Sequence, residues 1–269
     1  MTRIHAVLPN ESIDAPPDRI VELARQAEQL GYDAVWLPDH LLPPKPYGPT
    51  YGGVYEPLVM LTAIGAATSR IRFGTSVLIV PLRDPFLLAK QVATVERLAP
   101  GRMILGVGTG WDAVEFDSLG AEFRGRGSRT DEALRLIRHL HDSGGGPFEG
   151  PTYGFQTGVF APTPTRPVPI MVGGTSDAAV RRAARYADIW QGVGLDATGL
   201  RSRVTALRAQ TDRQVEIGTR ISVDTGVSVA DAAAHVEELS HAGADHVAVW
   251  FGSIDGYGQR MVAFAEAAL

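Results

Sequence analysis

Ile71-Arg72-Phe73-Gly74-Thr75-Ser76-Val77-Leu78-Ile79-Val80, then Asp84-Pro85, then Met103-Ile104-Leu105-Gly106-Val107: the fold is decided in this stretch. The outer runs are rich in β-branched and aliphatic residues, as strands are. Asp84 is a preferred N-cap residue, and Pro85 suits the first helical position, whose N–H has no intrahelical partner anyway. The helix it opens runs to about Ala99. Strand, helix and strand at this spacing form one unit of a parallel sheet.

The same alternation extends both ways. Upstream, Ile4 to Leu8 reads as a strand. Pro16-Pro17-Asp18 opens a helix whose apolar face is Ile20, Leu23, Ala24, Ala27 and Leu30, with Gly31 as its C-cap. Asp33 to Leu37 is the second strand, and Pro57 to Ser69 a helix. Downstream come a short helix over Trp111 to Leu119 and a longer one over Arg126 to His141. Strands follow at Pro169–Val172, Asp188–Val193, Val215–Val223 and Asp245–Phe251, with helices at Ser176–Tyr186, Leu200–Gln210, Ala230–His241 and Gly258–Ala268. Eight strands alternating with eight principal helices in roughly 250 residues is the arithmetic of a (β/α)8 TIM barrel. An open doubly wound sheet also alternates, but no G-x-G-x-x-G follows the first strand here. One barrel domain over residues 1–269 is expected. The Gly-, Pro- and Thr-rich segment 143–169 reads as an insertion before strand five, shaped as a small hairpin through Tyr153, Phe155 and Phe160.

The composition narrows the function classes. The net charge of −5 over 269 residues lacks the basic footprint that nucleic acid needs. No apolar run approaches the roughly 20 residues of a membrane helix. The opening, Met1 to Pro9, is too short and polar for a signal peptide, so a cytoplasmic protein with no membrane partner is expected. There is no cysteine, which excludes disulfides, thiolate catalysis and cysteine metal sites. The histidines fit no metal-ligand spacing with a paired carboxylate, so no metal is expected. His5, on strand one, can face the barrel interior.

In a barrel the chemistry sits at the C-terminal ends of the strands. After strand two comes Asp39-His40, a proton-handling imidazole with a carboxylate that could orient it. The bland alternative is a loop histidine beside a turn former. After strand three, the small residues Gly74-Thr75-Ser76 suggest a bulge or the close approach of a ligand, unless this is a plain core strand with one glycine for packing. After strand four, Gly106-Val107-Gly108-Thr109-Gly110-Trp111 lets backbone pass near something flat or anionic, and Trp111 adds an aromatic surface, unless it packs beneath its helix. After strand five, Gly173-Gly174-Thr175-Ser176 meets a helix start, which suits a phosphate; its plainer reading is a tight turn with a hydroxyl cap.

These segments together resemble the luciferase-like monooxygenase superfamily. The resemblance is carried by residues 27–40, 68–78, 87–91, 101–111 with Glu115-Phe116, 126–132, 172–176 and 181–190. It is nearest to actinobacterial oxidoreductases that use coenzyme F420, an 8-hydroxy-5-deazaflavin. It implies a ring leaning on a bulge with a cis peptide at Ser76-Val77, and Asp39 and His40 beside its reactive centre. Thr109 and Gly110 would line the cofactor tail, and Gly173, Gly174, Thr175 and Ser176 would hold its phosphate. Trp111 and Tyr51 are expected in the substrate pocket. Trp111 stands where the sugar-phosphate dehydrogenases of the superfamily carry glutamate, which disfavours that substrate. Asp224 to Ala244 holds little beyond one helix, shorter than the corresponding connection in light-emitting luciferases.

The expected activity is hydride transfer between F420 and a small organic substrate, with His40 as proton partner and Asp39 tuning it. The alternatives are a monooxygenase using reduced FMN from a partner reductase, and a non-catalytic flavin-binding barrel. A homodimer is expected, with a flavin or F420 reductase as a further partner.

Overall fold

The computed structural model describes residues 2–12, 15–223 and 226–269. Its strands are β1 (Arg3–Val7), β2 (Ala34–Leu37), β3 (Arg72–Thr75), β4 (Leu78–Ile79), β5 (Met103–Gly108), β6 (Ile170–Gly173), β7 (Ile189–Val193), β8 (Glu216–Ser222) and β9 (His246–Trp250). All pairings among these strands are parallel. The ladder runs from β3 through β2, β1, β9, β8, β7 and β6 to β5, and β5 closes the circle on β3 and β4. β3 and β4 are two ends of one stave, so the barrel has eight.

The break in that stave falls where the small residues Gly74-Thr75-Ser76 suggested a bulge, and the register explains it. Gly74 lies opposite Ile104 and Leu78 opposite Val107. Four steps on one strand face three on the other, which is a bulge with one extra residue. The bulge fits because its neighbours lack side chains. A Cβ on Gly106 would lie 1.7 Å from the Thr75 carbonyl oxygen, and one on Gly108 or on Gly173 would lie 2.5 Å from a methyl of Val77. Thr75 Oγ1 donates to the Gly106 carbonyl at 2.6 Å, and the Ser76 N–H to the Leu37 carbonyl at 2.8 Å. The Ser76-Val77 peptide bond is cis, at the place the resemblance implied.

The helices are α1 (Pro17–Leu30), α2 (Gly48–Tyr51), α3 (Pro57–Ala67), α4 (Pro85–Leu98), α5 (Ala113–Ser118), α6 (Arg126–Ser143), α7 (Asp177–Tyr186), α8 (Ala197–Arg208), α9 (Val229–His241) and α10 (Tyr257–Ala268). Gly31 ends α1 in the left-handed region, φ 91°, and Asp84 caps α4 through the Leu87 N–H at 2.8 Å. Among the boundaries that differ from the sequence reading, two starts are set by a capping aspartate. Asp196 accepts from the Gly199 N–H and starts α8 three residues early. Asp112 accepts from the N–H groups of Val114 and Glu115 and starts α5 two residues late. Trp111 is thereby left outside the helix, 49% exposed, rather than packed beneath it. In the 143–169 segment Phe155 bridges to Phe148, and Val159 to Gly145. The connection 224–244 contains α9; its first two residues lie outside the described ones. No helix of the described residues is long and apolar enough to cross a membrane.

Most of the core lies between staves and helices. A smaller apolar cluster of Val7, Ala34, Trp36, Ile104, Met171, Ile189 and Ala248 fills the barrel itself. His5, Gln191, Thr219 and His246 are buried beside it.

Burial holds His5 at about 3, in spite of Asp33 beside it. Burial alone would raise Glu216, but His246 and Arg3 bring it down to about 2. Both values lie below those of an unfolded chain. The stability each provides is therefore complete above its unfolded value, 6.5 and 4.5 respectively, and is lost on acidification. The melting temperature is expected to hold from pH 8 to 7 and fall progressively below pH 6.5; a rise on acidification would contradict this assignment. The glycine constraint has its own test. Gly106→Ala should cost about 3 kcal/mol or more, lowering the midpoint by roughly 6 °C or beyond. Gly48→Ala, whose Cβ meets nothing within 4 Å, should move it little, and equal melting of the two variants would refute the close approach.

Candidate functional site

The bulge opens onto a cavity of about 270 Å³ at the C-terminal end of the barrel. The end of β2 contributes Pro38, Asp39 and His40, and α2 contributes Tyr51. Ser76, Val77 and Ile79 form one wall. Gly108 to Trp111, Gly173 and Gly174 form another, and Gln191, Val193 and Arg220 complete it. A second cavity, of about 320 Å³, shares Gly108, Thr109, Gly173 and Gly174 with the first. It runs on to Arg126, Ser176 and Arg182.

His40 is held by a carboxylate that sequence reasoning missed. Its Nδ1 lies 2.8 Å from Glu115 Oε2, and Glu115 is 1% exposed. The other oxygen, Oε1, accepts from the N–H groups of Leu41 and Leu42 at 2.8 and 2.9 Å. Three donors therefore fix the carboxylate, and the carboxylate fixes which imidazole nitrogen carries a proton towards it. Nε2 is left for the cavity. The ring stacks on Tyr51 at 4.5 Å and meets the edge of Trp111 at 5.7 Å; Tyr47 in turn packs on Trp111 at 4.7 Å. These rings make an aromatic wall over the mouth.

The expected pairing of Asp39 with His40 is not found. Asp39 is 3% exposed and forms a two-pronged ion pair with Arg83, at 2.6 and 2.8 Å, while accepting from the Ile79 N–H at 2.8 Å. Burial pulls the Arg83 guanidinium down, but Asp39 and Glu56 more than offset this and hold it above its usual value. Asp39 thus ties the bulge to the loop after β2 and does not touch the imidazole. A carboxylate already engaged by a bidentate guanidinium is not available to tune a neighbour.

Ser76 and Val77 line the first cavity as expected, and so do Trp111 and Tyr51. Thr109 borders both cavities, whereas Gly110 borders only the first. Gly173, Gly174 and Ser176 come together at the second. Thr175 lines neither, and its carbonyl accepts from Arg203 at 3.3 Å. Two further residues of the first cavity had no sequence signal. Gln191 donates from Nε2 to Ser76 Oγ at 2.9 Å. Arg220 lies 3.5 Å from the Ser76 carbonyl, and burial lowers it from its usual value, partly offset by Glu11.

The two cavities suit a flat ring joined to an anionic tail. The Val77 side chain presses into the strip left bare by Gly108 and Gly173, so one face of the first cavity is smooth. The second ends at the first turn of α7, whose leading N–H groups lack intrahelical acceptors and favour an anion. Ser176 caps that helix through the Ala179 N–H at 3.2 Å. Arg126 donates to the Gly110 carbonyl at 3.1 Å, and Arg182 pairs with Asp131.

The model of the luciferase-like monooxygenase family matches residues 2–266. An uncharacterized protein of Mycobacterium tuberculosis is 36% identical over 209 residues, 72% of this chain and 72% of its own length. An F420-dependent glucose-6-phosphate dehydrogenase of Kineococcus radiotolerans is 36% identical over 217 residues, 75% of this chain and 63% of its own. An F420-dependent secondary alcohol dehydrogenase, solved with an F420–acetone adduct, has the same fold. Its TM-score is 0.83 at 18% identity, over 99% of this chain and 98% of that one. Matched by the family model over nearly its whole length, and with an eight-stave barrel, the chain belongs to the luciferase-like monooxygenase family.

Proposed function

We propose that the chain is an oxidoreductase that moves a hydride between coenzyme F420 and a small organic substrate. The observation that carries this reading is the joined pair of cavities, one smooth-walled at the bulge and one ending at a helix N-terminus. Relatives named as F420-dependent support it. Bound there, F420 supplies a hydride carrier that reacts poorly with oxygen.

The protein's own work is binding, orientation and proton handling. Ser76 and Val77, with the bare strip at Gly108 and Gly173, hold the ring. Ser176, Gly174 and the first turn of α7 hold the tail, with Arg126 adding positive charge. His40 holds or releases a proton at Nε2, and Glu115 sets its tautomer and orientation. Trp111, Tyr47 and Tyr51 give the substrate an apolar, aromatic surface, which suits an uncharged organic molecule better than a sugar phosphate.

Ser176→Asp separates the tail assignment from the fold. Aspartate caps a helix as well as serine, so the melting temperature should hold. The added carboxylate should weaken F420 binding roughly tenfold or more, about 1.4 kcal/mol for each factor of ten. An unchanged dissociation constant in equilibrium titration would remove the phosphate from this site. Gly174→Asp is a poorer probe, because φ at Gly174 is +116° and any side chain there is strained.

Proton handling at His40 has a kinetic test. Single-turnover oxidation of bound reduced F420 by small ketones should slow roughly 10²–10⁴-fold in His40→Ala, the usual reach of general acid–base help. Glu115→Gln should slow it less and displace the pH profile. Asp39→Asn should act on stability and leave the profile in place. A parental rate and profile in His40→Ala would make the imidazole structural.

A further inference from the structure

A second polar chain runs through the barrel beneath the bulge, and the chemistry above makes no use of it. At the N-terminal end of the staves, Glu216 Oε1 receives Arg3 at 2.7 Å and the Nδ1 of His246 at 2.7 Å. The other nitrogen of His246, Nε2, lies 3.3 Å from Gln191 Oε1, and Gln191 Nε2 lies 2.9 Å from Ser76 Oγ. His246 is 0% exposed, Gln191 1% and Ser76 7%. The chain thus links the bottom of the barrel, where Glu216 is partly exposed, to a hydroxyl on the cavity wall through the buried His246 and Gln191. Space for it is built in: a Cβ on Gly218, the residue paired with His246 across the sheet, would lie 2.1 Å from His246 Nε2.

The polarity of each link follows from what its neighbour can offer. Glu216 is ionised near neutral pH and only accepts, so His246 Nδ1 carries a proton. Nε2 is the open choice. With a proton there, Nε2 needs an acceptor and meets the Gln191 carbonyl. The amide NH2 then faces Ser76, whose oxygen accepts and whose own proton is turned to the cavity. Without that proton, Nε2 is an acceptor. The Gln191 amide then turns over, giving its NH2 to His246 and its carbonyl to the Ser76 hydroxyl. The serine now donates inward and shows lone pairs to the cavity. A carboxamide is suited to this because its two ends are nearly equal in shape and opposite in hydrogen-bond character.

The groups around His246 leave it as the switching member. His5 stacks on it at 4.2 Å, but accepts at Nδ1 from the Trp36 indole at 3.0 Å and stays neutral. Asp33 faces the far nitrogen of His5 and is paired with Arg72 at 2.7 Å. Arg3 is paired with Glu216, and Asp245 accepts from the Ile217 N–H at 2.7 Å.

We propose that His246 and Gln191 are positioning residues: a proton on the imidazole sets, through the amide, whether Ser76 presents a hydrogen-bond donor or an acceptor to the bound ligand. The part of this that concerns the ligand rests on the F420 reading. A hydroxyl that can be set either way suits a ring atom that is an acceptor in one redox state and a donor in the other.

The first arm of the test needs no cofactor. In ¹⁵N-labelled apoprotein, the ring nitrogens of His246 and the side-chain amide of Gln191 are followed by NMR from pH 5.5 to 9. The expected result is that both move with one midpoint. An imidazole that keeps one proton count across this range, or an amide that does not follow it, overturns the proposal. The second arm measures the dissociation constant of F420 across the same range. The parent should show a step at the NMR midpoint, and Gln191→Met should lose the step while His246 still titrates. A step that persists in Gln191→Met also overturns the proposal. If the parent binds no F420 at any pH, the cofactor reading fails, and the apoprotein arm alone decides the relay.

Discussion

Side chains absent from Gly106, Gly108 and Gly173 are the constraint on which the site depends. A parallel barrel normally pairs each stave along its whole length, and a residue inserted in one stave must displace something. Here the displaced volume is supplied by three positions on the next two staves, where a Cβ would lie 1.7 Å from the Thr75 carbonyl or 2.5 Å from Val77. The extra residue therefore folds inward instead of opening the barrel. It carries Val77 against the bare strip and leaves Ser76 and Ile79 on the cavity wall.

Around this fixed point the charged groups divide the work by reach. Asp39 is held by the rigid fork of Arg83 and by the Ile79 N–H, so it belongs to the scaffold of the bulge. Glu115, from the helix after β5, reaches across the mouth to His40 and to the N–H groups of Leu41 and Leu42. Both carboxylates are almost wholly buried, and each is satisfied by donors that would be stranded without it. Below them a third carboxylate, Glu216, anchors His246 at the opposite end of the barrel. The imidazole at the mouth and the one at the bottom of the barrel are thus held by separate acids on separate elements.

The eight staves and their helices were legible because alternation, capping residues and apolar spacing recur in every unit. A bulge in the third stave was one of two readings of Gly74-Thr75-Ser76, and the resemblance implied it; its register was not legible, since that is set by glycines on neighbouring strands rather than by the propensity of Thr75, Ser76 and Val77. The cis bond at Ser76-Val77 came from resemblance alone. His40 was legible from its place at a strand end. Its partner was misassigned because adjacency in sequence does not bring two side chains together: Asp39 turns to Arg83 while His40 turns to Glu115, 75 positions on. Gln191 and Arg220 were missed because a polar residue within a strand looks the same in sequence whether it faces solvent or a cavity. Thr175 was included because a run of small polar residues before a helix does not show which member turns away.

The central claim is that the joined cavities take a deazaflavin. Equilibrium titration of the purified apoprotein, separately with F420 and with FMN, tests it most directly. The account predicts one F420 bound per chain, with FMN weaker by roughly tenfold or more, about 1.4 kcal/mol or beyond. Stoichiometric binding of FMN with no measurable binding of F420 would contradict it and would place the chain among the flavin-dependent monooxygenases of its family.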